Sequence, residues 1–216
     1  TTSVSSVGSR TASFSSKVSD HGGETVSEVG FYYSTEESVD VSRATKVSKT
    51  YTGSAFTATL NDLKVATTYY VKAYAVNSAG TVYSKVVSFK TLASSPVVRT
   101  LGSSNVSSTG ATLSGTVVTD NGAAITQRGF VWVQGDGTPT TSNNRLAVSG
   151  TTGDFTAELA GLDPNKKYSF RAYAINSVGA SYGDIMTFIT VAGLPSLSVT
   201  KVTDLTTTTA MLSCTV

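Results

Sequence analysis

Residues that usually carry chemistry are scarce in this chain. Of its 216 residues, one is cysteine (Cys214), one is histidine (His21) and one is tryptophan (Trp132). A lone cysteine excludes an internal disulfide and any cysteine-based metal site. It leaves the compartment open, because a sandwich that buries its own core needs no disulfide. A lone histidine excludes a Ser-His-Asp set formed in each half of the molecule. Charge is also thin: charged residues make up 14% of the chain, against about 25% in ordinary soluble domains. The 16 basic and 14 acidic residues give a net +2, and the basic ones form no block. Nucleic-acid binding needs concentrated positive charge to displace counterions, so no nucleic-acid partner is expected. No apolar run approaches the length of about 18 residues that a membrane helix needs. The opening residues TTSVSSVGSR lack the apolar core of a signal peptide.

Thr, Ser, Gly and Val fill the space left by charge. Thr and Val suit strands, while Ser and Gly suit turns. No long run of helix formers carries an apolar stripe. The composition predicts an all-β protein.

The chain also repeats itself. YYVKAYAVNSAGTVYS (69–84) and YSFRAYAINSVGASYG (168–183) are nearly the same phrase, offset by 99 positions. Gly30 and Gly129, Phe56 and Phe155, Leu63 and Leu162, and Phe89 and Phe188 keep that offset. No insertion is needed between Val7 and Thr190. A third copy opens at the end, where AMLSCTV (210–216) aligns with ATLSGTV (111–117) and ASFSSKV (12–18). A fixed period is the mark of a repeat architecture. The expected organisation is repeat 1 over 1–92, repeat 2 over 93–191, and the opening strands of an incomplete third repeat over 192–216. Two strands cannot bury a core. The chain therefore reads as a window on a longer array, the alternative being that another chain completes the third copy by exchanging strands.

Within a copy, apolar and polar residues alternate between Gly, Asn, Asp and Ser clusters. In 111–117, Ala111, Leu113, Gly115 and Val117 share one face. In 168–175, Tyr168, Phe170, Ala172 and Ala174 point inward, and the small alanines leave room for facing rings. About seven such strands in about 100 residues predict an antiparallel β-sandwich. NSVG and NSAG read as turns, where Asn and Gly tolerate positive φ. Cys214 falls on the inward face of its strand, as a buried inert thiol.

LKVATTYYVKAYAVNSAG (63–80) and LDPNKKYSFRAYAINSVG (162–179) resemble the fibronectin type III signature: a Leu, a turn, a Tyr six residues on, an alternating strand, then Asn and Gly. The resemblance implies tandem seven-stranded sandwiches of the fibronectin type III or immunoglobulin-like kind. It makes Tyr69 and Tyr168 tyrosine-corner residues, buried and bonded through the hydroxyl to nearby backbone. The RAYAIN…SYG phrasing is most similar to repeats of Bacteroidota surface and secreted proteins. The core tryptophan of many type III domains is missing from 12–18 and 111–117. Phe14 and Leu113 take its volume, with Trp132 adding bulk from the next strand.

The search for reactive groups yields little. His21 lies in a turn, DHGGET, as a solvated residue. Glu36, Glu37 and Asp40 form an acidic loop whose counterpart offers only Asp136, so no calcium site is expected. No catalytic residue, metal or cofactor is assigned, and the chain is expected not to be an enzyme. One face stands out. Lys72 and Tyr74 point outward in copy one, and Arg171 and Tyr173 in copy two. Tyr32 beside Tyr74 would make an exposed aromatic platform able to stack on a sugar ring or a partner protein. The junctions TLASSP (91–96) and TVAGLP (190–195) are short and close on proline, which predicts limited swing. The resulting expectation is a non-enzymatic spacer in an extracellular or cell-surface stalk of a bacterium, with neighbouring repeats as its partners. Alternatives are a carbohydrate- or protein-binding module and a filament subunit that associates with itself by strand exchange.

Overall fold

The computed structural model describes residues 2–53, 55–195, 201–203 and 206–213. Cys214, read above as a buried thiol, lies outside them. All regular structure is β-strand, and no helix is long and apolar enough to cross a membrane among these residues.

The first sandwich holds β1 (Ser3–Ser5), β2 (Ala12–Ser16), β3 (Glu28–Ser34), β4 (Thr45–Lys49), β5 (Phe56–Leu60), β6 (Thr68–Asn77), β7 (Gly80–Tyr83) and β8 (Val87–Lys90). The second holds β9 (Val97–Ser104), β10 (Gly110–Thr119), β11 (Gln127–Gln134), β12 (Asn144–Val148), β13 (Gly153–Ala160), β14 (Lys167–Ile175), β15 (Ala180–Tyr182) and β16 (Met186–Ile189). A hairpin of β17 (Lys201–Thr203) and β18 (Met211–Ser213) follows.

Each sandwich has a three-stranded sheet, β1-β2-β5 or β9-β10-β13, facing a sheet ordered β4-β3-β6-β7 or β12-β11-β14-β15. β8 and β16 also pair with β6 and β14. The last strand of a seven-stranded plan is thus broken into two pieces. Each piece pairs with half of the long preceding strand. Every pairing is antiparallel.

Alternation sends one set of side chains into each interior. Phe14, Phe31, Phe56, Val71 and Phe89 form the first core, and Leu113, Phe130, Phe155, Phe170 and Phe188 the second. Their rings meet at 5.0–5.7 Å in tilted or edge-on pairs. Burying each such ring stabilises by about 1.5–3 kcal/mol. Ala172 lies beneath Gly115, where an added Cβ would stand 2.8 Å from it and 3.2 Å from the Phe130 and Phe155 rings. The small residues therefore let the rings close. Trp132 packs on the rim of the second core.

The NSAG and NSVG segments form turns held by their asparagine side chains. Neither asparagine has positive φ. Asn77 Oδ1 accepts from the Ala79 and Gly80 amides, and Asn176 Oδ1 from those of Val178 and Gly179. The asparagine side chain holds each turn, and in the first one Gly80 adds a positive φ of 143°.

Candidate functional site: the outer sheet face and the sandwich seam

Tyr69 and Tyr168 start the inward face of β6 and β14. Each ring stacks on a neighbouring phenylalanine, Phe89 or Phe188, at 5.6 Å. The Tyr69 hydroxyl accepts from the Lys64 amide at 3.0 Å, and the Tyr168 hydroxyl from the Asp163 amide at 2.9 Å. Both bonds reach back five residues to the turn before the strand.

The outer face carries Tyr32, Lys72 and Tyr74 in the first sandwich and Arg171 and Tyr173 in the second. Its openness corrects the expectation of an exposed platform. Tyr74 is 3% exposed and Tyr173 is fully buried. The register explains this. Tyr74 pairs directly with Gly30, and Tyr173 with Gly129. A Cβ on Gly30 would come within 2.8 Å of the Tyr74 ring and hydroxyl. The tyrosine lies down over the bare glycine of the next strand, so its face is covered by its own sheet. Tyr32 is half-buried against Tyr74 and Tyr83, at 5.1 and 6.3 Å. Lys72 and Arg171 are half-buried and do not project. Lys72 lies over Tyr83 at 4.8 Å and Arg171 over Tyr182 at 4.0 Å. Arg171 Nε also donates to the Pro139 carbonyl at 2.6 Å.

Sequence reasoning missed Tyr83 and Tyr182, although they keep the 99-residue offset. It also missed the polar cluster around Tyr74. The Tyr74 hydroxyl donates to Glu28 and meets Ser48 Oγ at 3.1 Å, and Lys46 is 2.9 Å from Glu28. The Lys46 hydrogen bond, then those of Tyr74 and Ser48, lower the Glu28 carboxyl to about 2. Burial, the larger cause, and the Glu28 hydrogen bond raise the Tyr74 hydroxyl. In the second sandwich Gln127, Arg145 and Ala147 stand at these places, and the buried Tyr173 hydroxyl finds no hydrogen-bond partner among the described residues.

The remaining sites read from sequence are occupied by local structure. His21 Nε2 meets the Tyr51 hydroxyl at 2.7 Å in an exposed turn. Asp40 Oδ1 accepts from the amide and hydroxyl of Ser42, which holds its carboxyl below the usual range. No three His, Cys, Asp or Glu side chains come together as a metal site among the described residues.

Hollows lie in the first sandwich, along the seam between its two sheets. Two adjoining cavities of ≈ 110 and ≈ 190 Å³ share Val18, Asp20, Ala75 and Val82 in their walls.

No known family profile matches the chain, and no curated protein is found as a relative. A solved structure of the chicken CNTN1 FN1–FN3 domains matches 99% of this chain and 73% of its own, with TM-score 0.50 and 13% identity. At that identity the likeness speaks of fold alone. The fold is that of tandem fibronectin type III-like β-sandwiches. The corner tyrosines, the seven-stranded plan and the paired cores are its local expression.

Proposed function

We propose that the chain is a non-enzymatic spacer segment of a tandem array, in a stalk or adhesin on a bacterial surface or in a secreted protein. Its units run over 1–92 and 93–191, and the hairpin after them opens a third. Support comes from the junction between the two sandwiches. The Asn176 side chain donates to the Ser94 and Asp120 carbonyls, at 2.8 and 2.9 Å. The Asn121 side chain donates to the Ser95 carbonyl at 2.7 Å, and the Ser94 amide to the Asn121 carbonyl at 3.2 Å. Gly122, at φ 80°, sits so close to Ala66 of the first sandwich that a Cβ there would collide. Three of these bonds hold linker residues Ser94 and Ser95 to turns of the second sandwich, and with Gly122 set against Ala66 the linker has little freedom to swing. Sparse charge and abundant Thr and Ser agree with an exposed setting. So does the phrase similarity to Bacteroidota surface repeats.

The test is a distance distribution. Spin labels at Glu37→Cys and Ser142→Cys, both exposed, are placed in a Cys214→Ser background. The expected result is one narrow distribution, which broadens in Asn121→Ala/Asn176→Ala. An equally broad distribution in the unaltered junction would remove the spacer reading.

A further inference from the structure

Both outer tyrosines carry their hydroxyl into a small polar nest, but only one nest holds an acid. In the first sandwich Tyr74, Gly30 and Ser48 stand in one row across three strands. Glu28 precedes Gly30 by two residues and Lys46 precedes Ser48 by two, so their side chains meet over the tyrosine. A single oxygen, Glu28 Oε1, accepts from the Tyr74 hydroxyl and pairs with Lys46. One carboxylate thus serves a phenol and a cation together.

In the second sandwich the row is Tyr173, Gly129 and Ala147, with Gln127 in the place of Glu28 and Arg145 in that of Lys46. Gln127 Oε1 accepts from Arg145 at 3.2 Å, so a neutral amide answers the guanidinium. The Tyr173 hydroxyl is enclosed and has no partner among the described residues. Burial raises it above its ordinary value, so it stays a proton donor. Arg145 is exposed and makes no ion pair among the described residues. A buried donor left unmade is costly, and hydrogen bonds to a charged group are the strong ones. One carboxylate would satisfy both groups. The cation here is arginine, whose planar fork matches a carboxylate better than a lysine does.

We infer that Arg145 and Tyr173 form a binding site for a carboxylate supplied from outside the repeat. The carboxylate takes the place that the Glu28 side chain holds one copy earlier. One oxygen accepts from the Tyr173 hydroxyl and the other from the Arg145 guanidinium. Entry requires the Gln127–Arg145 bond to open. Arg145 and Ala147 are exposed and Gln127 is half-buried, and Ala147 lacks the hydroxyl with which Ser48 meets Tyr74. The neighbouring Arg171, held over Tyr182, adds positive charge on the same face. A free carboxylate and the acidic side chain of another chain offer the same group, and the test separates them. This inference stands apart from the spacer reading, since it concerns one sheet face and not the junction.

The probe is sodium acetate, titrated into the full chain against sodium chloride at equal ionic strength, with NMR of the amides and of the arginine Nε–H groups. Saturable shifts are expected at Arg145 Nε and at the amides of Gly129, Ala147 and Tyr173, half complete at about 10 mM acetate. Arg145→Gln and Tyr173→Phe should each weaken binding about tenfold. Gln127→Glu should rebuild the arrangement of the first sandwich. It should abolish the acetate shifts and raise the denaturation midpoint of the second sandwich, read by the fluorescence of Trp132 on its core. That rise should shrink in the Tyr173→Phe background. The same shifts without acetate, growing with protein concentration, would support the site and assign its carboxylate to another copy of the chain. Three results would each overturn the inference: acetate shifts no larger than those of chloride up to about 100 mM, acetate binding unchanged by Tyr173→Phe, or a Gln127→Glu gain that Tyr173→Phe leaves intact.

Discussion

Val29 of the first sandwich and Arg128 of the second occupy one place in the repeat, and so do Tyr51 and Gly150. In the first, Val29 is fully buried in the core and Tyr51 packs on its rim. In the second, Arg128 is 8% exposed, with its guanidinium 4.8 Å over the Phe155 ring. It makes five hydrogen bonds to the carbonyls of Ser149, Thr151, Thr152 and Gly153. A Cβ on Gly150 would collide with that guanidinium. The pair has thus changed together, from apolar filling to a cation that organises a loop. The same backbone plan tolerates either solution, because the loop before the fifth strand is free to adapt and the sheets are not.

The largest difference between the sandwiches should appear on removing that cation. Arg128→Met leaves four loop carbonyls without their donor. Breaking a buried charged hydrogen-bond set costs about 3 kcal/mol or more. Trp132 is the sole tryptophan and packs on the second core, so its fluorescence reports denaturation of that sandwich alone. The midpoint should fall markedly, while amide exchange of Phe31 and Val71 in the first core stays unchanged. A loss below about 1 kcal/mol would mean the arginine merely covers the loop.

A smaller contrast lies in the two outer tyrosines. Tyr74→Phe removes a hydroxyl bonded to Glu28 and Ser48, at an expected cost of about 1–2 kcal/mol. Tyr173→Phe removes a buried hydroxyl with no partner among the described residues. It should be neutral or stabilise by up to about 1 kcal/mol. Equal losses at both positions, measured by amide exchange within each core, would show that ring packing and not the hydroxyl network separates them.

The parts of this structure fixed by periodicity were open to reading. The 99-residue offset, the inward alternation of Tyr168, Phe170, Ala172 and Ala174, and the all-β class each follow from short-range patterns that every repeat writes out. The outer face was read as exposed, whereas Tyr74 and Tyr173 are buried. Whether Tyr74 is open depends on its cross-strand neighbour, and the Gly30–Tyr74 pairing joins residues 44 positions apart. Alternation along one strand carries no trace of that. Arg128 could have been noticed as a cation at an inward position, aligned with Val29 and matched by Gly150 against Tyr51.

The smallest effect is a pH difference confined to one sandwich. Glu28 titrates at about 2 in the folded chain against an ordinary 4.5, chiefly because it bonds to Lys46, then to Tyr74 and Ser48. A carboxyl depressed by folding contributes stability that is fully present above its unfolded value and is lost as pH falls through the folded one. The window therefore runs from pH 4.5 down to about 2. Its counterpart Gln127 does not titrate, so the second sandwich lacks this contribution. The side chains of Glu28 and Lys46 are 36% and 42% exposed. Solvent and salt screen such a pair, and the gain is expected to be about 1 kcal/mol or less. Comparing the chain with Glu28→Gln isolates it, because every other carboxyl is common to both. Amide exchange of the first core should show the two differing above pH 4.5 and converging towards about pH 2, with the gap narrowing in about 0.5 M salt. A gap that persists unchanged at low pH would place the effect of the substitution in lost hydrogen-bond geometry at Tyr74, since protonation removes the charge but leaves an oxygen for that hydroxyl to reach.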